Sequence, residues 1–259
     1  MQTGATQAAL TVRGLTKRFG PTLAVDGLDL EVPRGSFYGL VGPNGAGKTT
    51  TLSMATGLLR PDAGSVDVLG ADVWADTVRA KQLVGVLPDG LRLFDRLTGT
   101  ELVTYSGLLR GMDRAVVTAR TGELLEALGL ADAGRMLVVD YSAGMTKKVA
   151  LACALVHAPR LLVLDEPFEA VDPVSATTIR QFLAGYVGSG GTVLLSSHVM
   201  DLVQRLCDHV AIVAAGRVRA AGTVDDVRAG ATLEERFVEL VGGAADMGEG
   251  LAWLRTSSD

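Results

Sequence analysis

The sequence is poor in cysteine and has no surplus of basic residues. Its two cysteines, Cys153 and Cys207, lack the spacing of a metal site and are too few for a disulfide framework. We expect both to be small, buried apolar residues of a reducing compartment. The formal net charge is −5, whereas a protein that binds nucleic acid is expected to carry a basic face. The composition therefore gives no sign of a nucleic-acid partner.

The sequence also lacks the pattern of a membrane span and of a secretory signal. The longest uncharged apolar stretch, Val149 to Ala158, is about half as long as a helix that crosses a bilayer. The first ten residues have neither the basic start nor the apolar core of a secretory signal. We therefore expect a soluble chain. If it works at a membrane, a different polypeptide has to do the spanning.

The sequence does contain the composition of a folded protein and two kinds of periodicity. Apolar residues make up 48% of the chain and charged residues 20%, as in globular proteins. Alternating apolar residues between Leu10 and Val32 predict short antiparallel strands with one wet face. Leucines at helical spacing predict a helical insertion through about 100–130. The pattern further predicts a strand at 36–41, a helix at 49–59, a buried helix at 149–156, buried parallel strands at 161–164 and 192–195, an amphipathic helix at 199–206 and a hairpin at 209–220.

Residues 42–50 read GPNGAGKTT and fit the Gly-x4-Gly-Lys-Thr pattern of a phosphate-binding loop. The loop follows a predicted strand and opens a predicted helix, so backbone N–H groups can converge on phosphate oxygens at the positive end of that helix. Lys48 can reach the β- and γ-phosphates, and the Thr49 hydroxyl can coordinate Mg²⁺. The sequence therefore predicts one bound nucleoside triphosphate with Mg²⁺, held by Gly42, Pro43, Asn44, Gly45, Ala46, Gly47, Lys48, Thr49 and Thr50.

Two carboxylates, Asp165 and Glu166, follow the buried strand predicted at 161–164. Ligands of α/β proteins bind in the crevice beyond the carboxyl ends of such strands. There Asp165 would hold Mg²⁺ through water, and Glu166 would orient and deprotonate the attacking water. The alternative, a strand end with two solvated acids, is disfavoured by the phosphate loop upstream.

These motifs are joined by YSAGM at 141–145, EAVDP at 169–173 and SSH at 196–198. In this order and spacing they resemble the nucleotide-binding subunit of an ABC transporter, over about residues 8–240. The resemblance implies an α/β fold: a P-loop NTPase core of mostly parallel sheet, an N-terminal antiparallel β subdomain and an inserted α-helical subdomain. It also implies one ATP-binding domain at 1–240, with the helical insertion at about 91–150, and a C-terminal tail at 241–259.

The resemblance gives roles to residues outside the phosphate loop. Ser142 and Gly144 would bind the γ-phosphate of ATP held by the opposite subunit, at the start of a helix that begins near Thr146. The alternative for Ser142 is a helix N-cap with small neighbours. Asp172 would lie in the loop that crosses to the partner subunit.

Two further roles concern the nucleotide held by the chain itself. His198 would contact the γ-phosphate from a strand end and act with Glu166 and Lys48 in catalysis. Phe19 would stack on adenine, although a single phenylalanine between strands can equally be a core residue.

Three departures from the family pattern affect the expected rate. Asp89 stands where the family commonly has Gln or Glu; it can bind Mg²⁺ but reaches less far. Glu169 places negative charge near the expected positions of Glu166 and the γ-phosphate, where it would weaken closure of the dimer unless it faces solvent. The YSxGM form of the signature resembles export-type ABC ATPases of the drug and polyketide group.

We therefore expect an ATPase that forms a homodimer around two ATP–Mg²⁺. We expect it to power a separate membrane permease, and the signature favours export over import. The resemblance implies a cytoplasmic subunit, peripheral on the inner face of the membrane through that permease. Two alternatives stay open. The chain could be a nucleotide-dependent binding module with little or no hydrolysis, as Asp89 and Glu169 suggest, or a cytosolic ABC ATPase without a transport role.

Overall fold

Two β-sheets and nine helices make up the computed structural model, which describes residues 8–90 and 92–242. The strands are β1 (Ala8–Phe19), β2 (Thr22–Pro33), β3 (Phe37–Val41), β4 (Ala63–Val68), β5 (Ala71–Asp72), β6 (Val84–Leu87), β7 (Leu161–Leu164), β8 (Thr192–Ser197), β9 (His209–Ala214) and β10 (Arg217–Thr223). The helices are α1 (Lys48–Ala55), α2 (Thr77–Leu83), α3 (Gly99–Leu109), α4 (Arg114–Ala127), α5 (Ala143–Leu155), α6 (Pro173–Gly188), α7 (Met200–Leu206), α8 (Val224–Arg228) and α9 (Leu233–Val241), with a short 3₁₀ turn at Val138–Asp140.

The two sheets differ in strand direction. The first is antiparallel, in the order β2-β1-β4-β5. The second has the order β10-β9-β3-β8-β7-β6; all its strands are parallel except β10, which pairs with β9 as a hairpin. The predicted α/β class, with a mostly parallel sheet and an N-terminal antiparallel sheet, is confirmed.

The second sheet, which we call the mixed sheet, has an apolar core on each face. Along β7, Leu162 and Leu164 face the core that contains the helices α3–α5, while Leu161 and Val163 face the core beneath the antiparallel sheet. Side chains alternate between faces along a strand, so a strand buried on both faces has to be apolar throughout. This explains the continuous apolar runs of the sequence. No helix of the described ranges is both long and apolar enough to span a bilayer.

The predicted elements hold in type but not in every boundary. The short strands expected between Leu10 and Val32 are instead two strands of 12 residues each. Register shifts interrupt their pairing, and Gly14 and Gly27 take positive φ of 56° and 59° beside those shifts, so the apolar alternation breaks although the strands continue. The helix predicted at 49–59 ends at Ala55, because Gly57 turns the chain with a φ of 74°.

The helical insertion packs onto the sheet as part of one core. Leu102 of α3 and Val117 of α4 belong to the same apolar cluster as Leu162 of β7. The boundary expected near 150 falls inside α5, which runs from Ala143 to Leu155. The division into domain, insertion and tail stays a prediction. Leu91, where the insertion was expected to start, and residues 243–259 of the expected tail lie outside the described residues.

Candidate functional site

Four neighbouring parallel strands end at the same edge of the mixed sheet and carry most of the predicted site. The phosphate loop follows β3, His198 follows β8, Asp165 and Glu166 follow β7, and Asp89 follows β6. The carboxyl edge of a parallel sheet is where α/β proteins bind ligands. Chain topology therefore brings these groups together although they are far apart in sequence.

The lysine of the phosphate loop binds the backbone of the loop itself. Gly47 caps α1 with a φ of 100°, a conformation that favours glycine. The Lys48 Nζ donates hydrogen bonds to the carbonyl oxygens of Gly42 at 2.7 Å and Pro43 at 3.2 Å. Burial lowers the pKa of the Lys48 ammonium, and the charges of Glu166 and Asp165 act in the opposite direction. An anion that enters the loop therefore meets a nearly buried cation.

The two acids after β7 are oriented differently by their neighbours. The Asp165 side chain is buried and accepts a short hydrogen bond from the Ser196 hydroxyl. The Glu166 carboxylate lies between the Lys48 ammonium and the His198 ring, with Oε2 at 3.1 Å from His198 Nδ1 and Oε1 at 3.9 Å from Lys48 Nζ. Glu166 is thus positioned beside the loop, whereas Asp165 is fixed within the core.

The three predicted metal ligands share one small cavity. Thr49, Asp89 and Asp165 all line a space of about 60 Å³ at the first turn of α1. Hydroxyl and carboxylate oxygens are the donors that Mg²⁺ prefers, and Mg²⁺ usually completes its shell with waters and phosphate oxygens. The residues therefore fit the ion. Over the described ranges no group of three or more acidic, histidine or cysteine side chains could hold a metal by itself.

A larger cavity of about 600 Å³ lies outside the phosphate loop. Phe19 stands at its rim with 49% of its surface exposed and with Lys17 Nζ 5.7 Å from its ring centroid. Phe19 is therefore not a core residue, and its ring is free to stack on a base. The lining of the cavity comprises Phe19, Thr22, Leu23, Ala24, residues 44–50, Asp89, Glu166, Glu169, His198, Ala215 and Gly216. We call this cavity, with the phosphate loop, the nucleotide pocket.

Ser142, Gly144 and Asp172 do not line the nucleotide pocket. They meet at the N-termini of α5 and α6, which we call the α5–α6 corner. Ser142 is the exposed N-cap of α5 and accepts from the N–H of Met145 at 3.3 Å. The helix therefore begins at Ala143, and the predicted start near Thr146 is wrong because the serine closes the first turn.

The other two corner residues pack against each other. Asp172 caps α6 by accepting from the N–H groups of Val174 and Ser175 at 3.0 and 2.9 Å, and these bonds lower the pKa of its carboxyl. A Cβ at Gly144 would lie 2.5 Å from Ser175 Oγ and 2.6 Å from Asp172 Oδ2. Gly144 is thus required for close approach of the two helices, a structural role that the signature motif alone does not reveal.

Three contacts at the site were missed from the sequence. The Ser196 hydroxyl accepts from the Glu166 N–H at 2.9 Å, the Lys147 Nζ donates to the Glu166 carbonyl at 3.1 Å, and the Gly216 N–H donates to the Ala46 carbonyl at 3.0 Å. The signal for Ser196 was available, since it is a polar residue inside an apolar strand and part of SSH. Lys147 and the turn at Gly216 carry no such signal because their contacts are long-range.

The two charged departures from the family pattern both face the nucleotide pocket. Asp89 and Glu169 line it together with Lys48 and Glu166. They also line a neighbouring cavity of about 420 Å³ between the β6 end and α5, to which Lys147 contributes. Glu169 is an exposed residue that borders the nucleotide pocket, and a lysine lines the adjacent space.

Away from the nucleotide pocket, an apolar groove lies along α3. Phe94 and Tyr105 are 62% and 41% exposed, and their rings meet edge to face with centroids 5.8 Å apart. Leu97 and Leu108 continue the groove, which Asp95, Arg96 and Glu101 border. Exposed apolar surface of this kind is typical of a contact site for another protein.

Comparison with known proteins agrees with this geometry. The ABC transporter family model matches residues 25–169, more than half of the chain. A daunorubicin resistance ATP-binding protein of Streptomyces coeruleorubidus is 39% identical over 95% of this chain and 78% of its own length. A Nod factor export ATP-binding protein of Burkholderia lata is 39% identical over 83% of this chain and 71% of its own length.

A solved structure gives the same answer for the fold. The ATP-binding subunit of an ABC transporter superimposes with a TM-score of 0.83 at 30% identity, covering 90% of this chain and 99% of the other. Fold, motif placement and sequence similarity agree over nearly the whole chain. The chain therefore belongs to the ABC transporter family, as an ATP-binding, ATP-hydrolysing subunit.

Proposed function

We propose that two copies of this chain close around two ATP molecules and that hydrolysis drives export through a separate membrane permease. The main support for this proposal is that the motif residues lie in two separate groups. The nucleotide pocket holds the phosphate loop, Glu166 and His198, while Ser142 lies exposed at the α5–α6 corner. A second copy would bring its corner to the open side of the pocket, and a symmetric dimer would create two such sites.

In the proposed site, different residues of the chain bind the phosphates and activate the water. Lys48, the loop N–H groups and the N-terminus of α1 would bind the β- and γ-phosphates. Water would attack the γ-phosphorus as the bond to the bridging oxygen breaks, and the electron pair of that bond leaves on ADP. Glu166 would accept the proton of the water, and His198, 3.1 Å from its carboxylate, would keep it oriented.

Mg²⁺ is proposed to lie among Thr49, Asp89 and Asp165. When bound, it would neutralise charge on the phosphate oxygens. The buried carboxylate of Asp165, held by Ser196, gives that site one fixed oxygen. Asp89 is the shorter substitute for the family's usual Gln, so we expect it to act through a water molecule.

We propose that the transport direction is export and that the substrate is an apolar or drug-like compound. Support comes from the names of relatives, one tied to daunorubicin resistance and one to Nod factor export, and from the YSxGM signature. The substrate itself would be bound by the permease. The chain would then sit at the inner face of the membrane only through that partner.

We propose that the permease contacts the groove along α3. An ATP-binding subunit needs a surface for its membrane partner, and the Phe94–Tyr105 ring pair is exposed there. Replacing both rings with alanine should release the permease in co-purification while the isolated chain hydrolyses ATP at an unchanged rate. Retention of the permease would show that the groove is not its contact site.

The deciding experiment compares ATP hydrolysis by the wild type and by Glu166→Gln with Mg²⁺ present. Removing the general base should reduce kcat by on the order of 10²- to 10⁴-fold while ATP still binds. Glu123→Gln on the exposed face of α4 is a matched control and should hydrolyse at the wild-type rate. Equal rates in the wild type and Glu166→Gln would contradict the proposed mechanism.

A slow ATPase is the second candidate, because Glu169 lines the nucleotide pocket together with Glu166. A like charge near the γ-phosphate disfavours closure around ATP. Glu169→Ser removes that charge and should raise kcat if the second candidate is correct. An unchanged kcat in Glu169→Ser would reject it.

A further inference from the structure

The backbone of Glu166 adopts a conformation that is unusual for its residue type. Its φ is 44°, in the left-handed region that residues with a Cβ rarely occupy without support from their surroundings. Such support should be visible as contacts on the peptide groups of Glu166. Because the carboxylate position follows the backbone, those contacts also decide where the carboxylate lies.

Side chains from two different elements bind the two peptide groups of Glu166. From β8, the Ser196 hydroxyl accepts the Glu166 N–H at 2.9 Å. From α5, the Lys147 ammonium donates to the Glu166 carbonyl at 3.1 Å. The N–H of Glu169 donates to the same carbonyl at 3.2 Å and closes the turn. Lys147 is therefore the only cation among these contacts.

The surroundings of Lys147 explain why a cation is suited to this position. Lys147 lines the cavity of about 420 Å³ that Asp89 and Glu169 also line. The same two acidic residues line the nucleotide pocket. A neutral side chain of similar length would leave the Glu166 carbonyl with the Glu169 N–H as its partner and without a charge-assisted bond.

Lys147 also belongs to the helix that Ser142 caps. Ser142 precedes the first turn of α5 and Lys147 lies in its second turn, and the helix is continuous from Ala143 to Leu155. The α5–α6 corner is thus joined to the acid of the nucleotide pocket through one rigid helix and one hydrogen bond.

We propose that Lys147 is a positioning residue for ATP hydrolysis: by binding the main-chain carbonyl, it holds Glu166 in the left-handed conformation that places its carboxylate between Lys48 and His198. Lys147 acts through Glu166 and does not contact the nucleotide. The proposal rests on the proposed function in one respect, namely that Glu166 is the general base.

The kinetic test uses Lys147→Met, Lys147→Arg and the matched control Lys81→Met on the exposed face of α2. Lys147→Met should lower kcat by on the order of ten- to a hundredfold with the KM for ATP unchanged, since misplacing a reacting group costs rate rather than substrate binding. Lys147→Arg keeps a cationic donor and should recover most of the rate. Lys81→Met should match the wild type.

A double variant separates action through Glu166 from a general loss of structure. Adding Lys147→Met to Glu166→Gln should cause no further fall in kcat, because the group that Lys147 positions is already gone. A further tenfold fall in the double variant would overturn the proposal. So would a rise in KM without a change in kcat, or an unchanged kcat in Lys147→Met.

Crystal structures of the wild type and Lys147→Met test the same proposal without hydrolysis. The variant should lose the left-handed φ of Glu166 or lengthen the contact between Glu166 and His198. An unchanged φ and an unchanged contact would overturn the positioning role. If Glu166→Gln hydrolyses ATP as fast as the wild type, the proposed function fails, and these two structures still decide whether Lys147 holds the backbone.

Discussion

The nucleotide pocket and the α5–α6 corner are built in opposite ways. In the pocket, Lys48 is 7% exposed, and the Glu166 carboxylate contacts both Lys48 and His198. At the corner, Ser142 and Asp172 are exposed, and their side chains accept hydrogen bonds from backbone N–H groups of the helices that they cap. The pocket has a buried cation next to carboxylates, while the corner has the capped N-termini of two helices.

The polar groups at the corner therefore have hydrogen-bond partners within the chain and need no ligand. Ser142 and Asp172 cap α5 and α6, and Gly144 lets the two helices approach. Small and capping residues therefore have a local reason to be present. A role in binding the partner's nucleotide has to be tested by variants that keep the caps intact.

The largest effect on ATP binding is expected when the buried cation of the pocket is removed. Lys48→Met deletes the ammonium that binds the Gly42 and Pro43 carbonyls and faces Glu166. Loss of a charge-assisted contact to the phosphates should weaken ATP binding by on the order of a hundredfold. Equilibrium binding of a fluorescent ATP analogue to the isolated chain measures this. An unchanged affinity for the ATP analogue would show that Lys48 does not bind the phosphates.

Ser142→Asp separates the two roles of the corner. Aspartate is as good an N-cap as serine, so α5 and the melting temperature should be preserved, while its charge should repel an incoming phosphate. We expect kcat to fall by about a hundredfold, with ATP affinity of the isolated chain unchanged. Steady-state hydrolysis, thermal unfolding and analogue binding are measured together. Wild-type turnover in Ser142→Asp would make the corner purely structural.

A smaller effect is expected at the rim of the pocket. Phe19→Ala removes a half-exposed ring that no core contact requires, so folding should be unaffected. Loss of a stacking surface should weaken ATP affinity by about tenfold. GTP, which offers another stacking purine, should lose affinity in parallel, whereas inorganic triphosphate should bind equally to both proteins. Equal loss for triphosphate would indicate damage to the phosphate loop instead.

The smallest effect concerns the pH dependence of the corner. Hydrogen bonds from Ser175 hold the pKa of Asp172 below its ordinary value of 3.8 in the folded chain. A depressed carboxyl pKa contributes stability above the unfolded value, and that contribution is lost as the pH falls through the folded pKa. Asp172→Asn keeps a capping oxygen but cannot titrate, so its melting temperature should fall less steeply between about pH 5 and about pH 3. Parallel curves for both proteins would show that Asp172 does not titrate with folding.

The sequence predicted the pocket more fully than the corner for a physical reason. The phosphate loop, Asp165 and His198 each end a parallel strand, and the carboxyl ends of such strands share an edge. Their proximity therefore follows from topology alone. The start of α5 was misplaced because capping by Ser142 extends the helix toward the N-terminus, which the apolar pattern after Thr146 does not indicate.

Long-range polar contacts could not be predicted in the same way. Lys147 is one of five lysines, and nothing in its neighbours shows that its amine reaches the Glu166 carbonyl. The close packing of Gly144 on Ser175 depends on how α5 and α6 approach, which the sequence of neither helix fixes. The bulges of β1 and β2 likewise arise from pairing across strands.

The most direct test of the shared site mixes two inactive variants, Glu166→Gln and Ser142→Asp. In a mixed dimer, one site contains both changes, while the other contains a wild-type pocket and a wild-type corner. Equal mixing should therefore restore activity to about a quarter of the wild-type rate, since about half of the dimers are mixed and each has one intact site. A rate no higher than the mean of the two variants would contradict a site completed by a second copy.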